Sequence, residues 1–210
     1  KEVSAISCEP KRQHEGWSVG YPNMKVVDLF CGTGGFGLGA LNAGFEVPLS
    51  IDIDPILTSS HGWNFPKGNL KLADASLIEG AAIIEAAGGV VDGLIGGPPC
   101  QGFSLIGKRQ ADDPRRNLVD HFFRLVAEVE PAFFVMENVV GLIQGDASEV
   151  LGSAMNRLPA EYGVIGPLIL EAADFGVPTS RKRCFVIGIR RDRGDLEALE
   201  IGSRAPKGTV

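Results

Sequence analysis

Apolar and polar positions fall in blocks along this chain, and the blocks switch repeatedly between two periods. Short, nearly continuous apolar runs at 24–30 (MKVVDLF), 47–54 (VPLSIDID), 70–75 (LKLADA), 90–97 (VVDGLIGG) and 132–138 (AFFVMEN) read as buried strands. Segments of helical character lie between them. Residues 34–45 form a glycine-rich turn entering a helix that Gly44 ends, and 55–65 read as a helix with Pro55 at its first position. A third helix is predicted over 77–88. In 117–131, Leu118, Phe122, Leu125, Val126 and Val129 recur at helical spacing, with Pro131 just past the end. A helix around 148–158 and two strand-like runs, 166–176 and 183–190, complete the pattern. Strands that are apolar along their whole length, alternating with helices, predict an α/β fold: a mostly parallel twisted sheet with helices on both faces. Ligands of such sheets bind beyond the carboxyl ends of the strands, so the residues directly after each strand are where chemistry is expected.

Composition narrows the picture. With 210 residues and 44% hydrophobic content, the chain is long enough for one packed domain, expected over 24–193, with a polar lead-in at 1–23 and a charged tail at 194–210. No apolar run approaches the ~20 residues of a membrane helix, and no secretory leader is visible, so a cytoplasmic, bacterial-type location and no membrane partner are expected. The first residue is Lys1 rather than Met, which suggests a trimmed chain. Cys8, Cys31, Cys100 and Cys184 are scattered without a C-x-x-C pair. That spacing argues against a disulfide scaffold and a zinc site; no metal is expected. A net charge of −6 is unfavourable for phosphate binding, yet the basic residues cluster. Lys108, Arg109, Arg115 and Arg116 form one group; Arg181, Lys182, Arg183, Arg190, Arg191 and Arg193 form another. His14, His61 and His121 sit beside none of the chemistry below.

Asp28 closes the first strand, and Gly32, Gly34, Gly35 and Gly37 follow, letting a backbone turn sharply against a ligand. The turn lacks the strand register of a dinucleotide fingerprint and is not followed by G-K-[ST]. Asp52 and Asp54 end the second strand and Asp74 the third; carboxylates there suit ribose hydroxyls and an adenine amino group. Together they read as an adenosine site without a pyrophosphate clamp. The fourth strand breaks into GGPPCQGFS, 96–104. Pro98 and Pro99 stiffen the approach to Cys100, and a thiolate on such a turn, near a helix start or a basic loop, becomes a nucleophile. Glu137 and Asn138 end the fifth strand, facing the same crevice; Glu137, if buried, becomes a proton donor.

The motifs DLFCGTGGF, GGPPCQGFS, ENV and SRKR, in this order and spacing over residues 24 to about 192, resemble the cytosine-5 DNA methyltransferase family. The resemblance implies a Rossmann-like class I methyltransferase fold and S-adenosylmethionine as cofactor, with S-adenosylhomocysteine as product. It places Phe30, Gly32, Thr33, Gly35, Asp52, Ile53, Asp74, Ala75, Pro99 and Leu118 at the cofactor. It makes Cys100 the nucleophile toward cytosine C6, Glu137 the donor to N3, and Arg181 and Arg183 the arginines of the late motif, with Arg183 on O2. Gln101, Ser104 and Asn138 are implied at the substrate, and 104–118 resembles a mobile catalytic loop bringing Lys108, Arg109 and Arg115 to DNA phosphates. The base must be flipped out of double-stranded DNA. A modification methylase is the expected role. Three departures stand out. Asp52 occupies a position usually Glu. Thr179-Ser180-Arg181-Lys182-Arg183 replaces Gln-x-Arg-x-Arg. No target-recognition domain or returning cofactor-domain segment follows Arg193, so a trimmed domain or one subunit of a split enzyme, completed by a second polypeptide, is expected to be weakly active alone. A tRNA cytosine-5 methyltransferase, a non-catalytic regulatory subunit, and a dinucleotide-dependent dehydrogenase are the rival readings; the last two leave Cys100 without a purpose.

Overall fold

The computed structural model describes residues 24–99, 118–197, 199, 201 and 202. The lead-in 1–23, the segment 100–117 and most of the tail lie outside the described residues.

Seven strands form one sheet in the order β3-β2-β1-β4-β5-β7-β6. They are β1 (Lys25–Leu29), β2 (Glu46–Asp52), β3 (Leu70–Leu72), β4 (Gly93–Gly96), β5 (Phe133–Val139), β6 (Tyr162–Glu171) and β7 (Lys182–Arg190). The first five pair in parallel. β7 runs antiparallel to both β5 and β6. β6 therefore runs in the sense of the first five, and β7 alone is reversed, for a topological reason. Only a 3₁₀ turn at Ala172–Phe175 and a short loop separate β6 from β7, too little chain for a crossover, so they meet as a hairpin.

The helices are α1 (Gly35–Asn42), α2 (His61–Asn64), α3 (Gly80–Ala86), α4 (Leu118–Val129) and α5 (Asp146–Met155). Strand alternation sends β1 side chains to opposite faces. Val27 and Leu29 join a buried cluster with Leu49, Ile51, Ile83, Phe122, Leu125, Val126 and Leu151, under α3, α4 and α5. Asp28, of opposite parity, meets Gly37 of α1. The sheet is therefore covered on both faces. Fully buried Phe122, Phe123 and Phe134 pack edge-on, with ring centroids 5.6 to 6.2 Å apart, a geometry favoured by the ring quadrupoles. Among the described residues no helix is long and apolar enough to cross a membrane.

Local hydrogen bonds explain where elements are shorter than their patterns. The helix expected over 55–65 shrinks to His61–Asn64: the Asp54 carboxylate caps a first turn, accepting the Ile56 and Leu57 amides at 2.8 and 3.1 Å, but the later amides of Ser59 and His61 turn to the carbonyls of Ile56 and Thr58, three residues back. α3 begins at Gly80 rather than 77, its first amide donating to Glu128 at 2.7 Å. β6 starts four residues before the apolar run suggests and carries a bulge between Ile165 and Leu168.

Asp28 is 1% exposed, with one carboxyl oxygen accepting the Gly37 amide at 2.9 Å. The other oxygen has no hydrogen-bond partner among the described residues. Burial, with the charge of Asp52 adding to it, pushes this carboxyl up to about 7, against the Gly37 hydrogen bond, which favours the charged form. Between the ordinary aspartate value of 3.8 and about 7 the folded state thus holds a proton that the unfolded chain has lost. The contribution is fully present below the lower value and is lost as pH rises through the upper one. Thermal melts at pH 5 and pH 8 are expected to show this. The wild type loses several degrees over that interval, at about 2–4 °C per kcal/mol for a chain of this size, and Asp28→Asn loses fewer. Parallel slopes for the two proteins would show that Asp28 titrates normally.

Candidate active site

The carboxyl ends of β1, β2, β3 and β4 converge on a cavity of about 510 Å³. Eight of the residues expected at a cofactor line it: Phe30, Gly32, Asp52, Ile53, Asp74, Ala75, Pro99 and Leu118. Thr33 and Gly35 are not among its lining. Both are exposed; Thr33 offers its carbonyl to Asn64 Nδ2 at 3.5 Å, and Gly35 is the first residue of α1. Ile51, Leu57, Ala73, Ser76 and Gly97 line the cavity without having been singled out from sequence, and Asp54, expected with Asp52 as a ribose acceptor, lines it too. Leu57 and Ser76 belong to turns held by the carboxylates of Asp54 and Asp74, and a strand-end carboxylate followed two residues later by a free amide was the available signal.

The turn after β1 is tightly constrained. Phe30 has φ 57°, a left-handed value that costs a non-glycine residue about 1–2 kcal/mol, and Gly34 follows at φ 91°. A Cβ at Gly34 would lie 2.1 Å from the Phe65 ring, so the turn and α2 can be this close only with glycine there. Asp52 ties the turn to the next strand. One of its oxygens accepts the Gly32 amide and the other the Asp54 amide, both at 2.9 Å. Asp74 accepts the Ser76 amide at 2.8 Å, and its hydrogen bonds from the Ser76 side chain and backbone hold it below the usual carboxylate range. Ile53 is 62% and Leu57 56% exposed, presenting apolar surface to the cavity.

A second cluster stands one strand over. Arg183 Nε lies 2.8 Å from Glu137 Oε1, and Arg181 reaches the same oxygen at 4.0 Å. Arg183 comes from β7, which pairs antiparallel with β5, so the hairpin delivers the arginines to the Glu137 strand end. Gly97 leaves room for the carboxylate, since a Cβ there would sit 3.2 Å from Glu137 Oε2. Asn138, expected at the substrate, is 3% exposed and faces inward; its amide donates to the Pro98 carbonyl at 3.0 Å and its oxygen accepts the Val139 amide at 2.8 Å. It therefore fastens β5 to the segment that runs into position 100. Cys100, Gln101, Ser104, Lys108, Arg109 and Arg115 lie outside the described residues. Cys31 and Cys184 are buried, and burial raises both thiols, Cys31 to about 12, which suits small core residues and not nucleophiles. Among the described residues no cluster of potential metal ligands occurs.

A parallel sheet with one reversed strand, β7, an acidic nucleoside-sized cavity at its carboxyl edge and a carboxylate–arginine pair beside it define a Rossmann-like methyltransferase fold. The profile of the C-5 cytosine-specific DNA methylase family matches residues 24–206, and the chain belongs to that family. It is 42% identical over 170 residues to the Type II methyltransferase M.XorII of Xanthomonas oryzae pv. oryzae, covering 79% of this chain and 40% of the relative. To the Type II methyltransferase M.AquIA of Picosynechococcus sp. it is 39% identical over 178 residues, covering 79% of this chain and 72% of the relative. Among solved structures, a DNA modification methyltransferase encoded within an E. coli prophage superposes with a TM-score of 0.74 at 39% identity, over 85% of this chain and 49% of that one. Spodoptera frugiperda DNMT2 superposes with a TM-score of 0.65 at 25% identity, over 89% of this chain and 56% of that one. The chain spans 40 to 48% of the length of M.XorII, M.DdeI and M1.HphI.

Proposed function

We propose that this chain carries the cofactor-binding and catalytic parts of a DNA (cytosine-5) methyltransferase, which moves a methyl group from S-adenosylmethionine to C5 of a cytosine turned out of duplex DNA. One observation supports it above the rest. Pro99, the residue before the thiol, lines the cavity, while the Glu137–Arg183 pair stands beside Gly97 of the same segment, on the neighbouring strand.

The cavity residues fit the adenosyl group. Asp52, Asp54 and Asp74 offer acceptors for ribose hydroxyls and a purine amino group; Ile53 and Leu57 offer apolar surface for the ring. A volume of about 510 Å³ lies within the ordinary range for a small-molecule site. Among the described residues no lysine or arginine stands in the lining, which suits a nucleoside without phosphates. When bound, the cofactor supplies an electrophilic methyl group on a sulfonium.

The chain's own residues prepare the base to receive it. The Cys100 thiolate forms a bond to C6, and the electron pair of the C5–C6 double bond becomes available at C5. As Arg183 leaves it, Glu137 takes up a proton from solvent and passes it to N3 as charge develops there, and the freed Arg183 donates to O2. After methylation, loss of the C5 proton and of the sulfur from C6 restores the ring. Asn138 keeps its hold on Pro98 throughout, so the thiol stays at one height over the base. Lys108, Arg109 and Arg115 are proposed to meet phosphates. The surface that selects a DNA sequence is proposed to come from further polypeptide, continuous with this chain or separate, and a modification role within a restriction–modification pair follows from the Type II names of the relatives.

Radiolabelled methyl transfer tests the reading. Assays pair the 210-residue chain, and a longer protein containing it, with cytosine-containing duplex DNA and with tRNA. Label in the DNA at cytosine C5, weak for the chain and strong for the longer protein, is expected. Label in tRNA alone would replace DNA as the substrate, and label in neither would end the proposal.

A further inference from the structure

The wall of the cavity formed by Asp74, Ala75 and Ser76 belongs to a loop between β3 and α3 that has little regular structure of its own. Its amides are satisfied locally: those of Ser76, Leu77 and Ile78 all go to Asp74. Two of its carbonyls are instead satisfied from α4. One guanidinium nitrogen of Arg124 donates to the Ala75 carbonyl at 2.9 Å and the Ile78 carbonyl at 3.0 Å. The second terminal nitrogen pairs with Glu128 at 2.6 Å, and Glu128 in turn accepts the first amide of α3. Nε donates to His121 Nδ1 at 3.2 Å, which requires the ring to be unprotonated at that nitrogen. All three guanidinium nitrogens are thus committed, in a planar fork that an ammonium cannot reproduce. Leu118, the first residue of the same helix, also lines the cavity.

We infer that Arg124 is a positioning residue for the cofactor: by gripping the Ala75 and Ile78 carbonyls, it sets the distance between the Asp74–Ser76 edge and Leu118, and so holds Asp74 where it meets the adenine amino group. This rests on the S-adenosylmethionine site proposed above. Arg124 touches no cavity surface itself and acts through the loop. Glu128 fixes one side of the fork and His121 the other, so the guanidinium plane has one orientation.

Titration calorimetry with two probes tests it: S-adenosylhomocysteine, and S-inosylhomocysteine, in which the purine amino group is replaced by a carbonyl. The wild-type chain is expected to bind the adenosyl compound at least tenfold more tightly than the inosyl one. Arg124→Met is expected to weaken S-adenosylhomocysteine tenfold or more and to bring the ratio of the two dissociation constants close to one; Arg124→Lys falls between. A merely structural role lowers the fraction of active protein and leaves that ratio where it was. Wild-type protein that binds neither compound would defeat the proposed cofactor site, not this inference alone. Wild-type binding with an unchanged ratio in Arg124→Met overturns the role of Arg124, and where Arg124→Met does not fold, an unchanged ratio in Arg124→Lys does the same.

Discussion

Cys100→Ser is expected to abolish methyl transfer, by on the order of 10⁴-fold or more in kcat, the scale on which a nucleophile's removal acts in covalent catalysis. Binding of S-adenosylhomocysteine should stay within about twofold, because serine keeps the size of the side chain and leaves the described lining residues, Pro99 and Leu118 among them, untouched. The size of the effect follows from the chemistry. C5 of cytosine does not attack an alkyl group unaided; it needs electron density that only an addition at C6 releases. A thiol reaches its anion within the range a protein environment provides, whereas a serine hydroxyl does not without a strong adjacent base. The conservative geometry of the change also matters. Pro98 is buried, its carbonyl is held by Asn138, and neither contact involves the side chain at 100, so the variant should melt with the wild type. Labelled methyl transfer measured beside calorimetric binding separates the two effects. Retained turnover would remove the nucleophile and leave the thiol after Pro98 and Pro99 without a purpose.

What the sequence made legible follows from how parallel strands are built. Strands buried on both faces read as continuous apolar runs, and their ends are marked by glycine, proline or carboxylate, so Asp52, Asp74, Pro99 and Glu137 were all visible as strand-end residues. The reversal of β7 was less visible. A strand's direction leaves no local trace, and only the short connection 172–181 between β6 and β7 fixes it. Local polar bonding misled in two places. After the turn that Asp54 caps, three-residue bonds from Ser59 and His61 replace the helix that Pro55 suggested. Asn138, polar and beside Glu137, read as a substrate contact, while β-strand alternation turns it inward to Pro98. Arg124 and His121 were passed over because their relevance is entirely tertiary. The carbonyls Arg124 grips lie 49 and 46 residues earlier, on a loop whose sequence carries no mark of needing donors. Asp52 shows the mixed case: its position was legible, but the use of both oxygens on backbone amides was not.

Glu137→Gln is expected to lower kcat by roughly 10²- to 10⁴-fold, the usual contribution of a positioned proton donor, with little change in stability or cofactor affinity. Three observations fix that combination. The carboxylate is not part of the cavity lining, so S-adenosylhomocysteine should bind the variant within about twofold. Its partner Arg183 is 22% and Glu137 26% exposed, and a partly solvated pair of this kind contributes only about 1 kcal/mol or less to folding. Glutamine keeps the shape of the side chain and an oxygen facing Arg183, so the antiparallel register between β5 and β7 has no reason to slip. What glutamine lacks is a proton it can give up as charge develops on N3. Arg183→Gln supplies the complementary measurement. If Arg183 serves the same base through O2, the double variant should lose far less than the product of the two single losses, because each residue depends on the other to hold the ring in place. Losses that multiply would mean that Glu137 and Arg183 act on separate events, and a kcat for Glu137→Gln within twofold of wild type would show that the N3 proton comes from elsewhere.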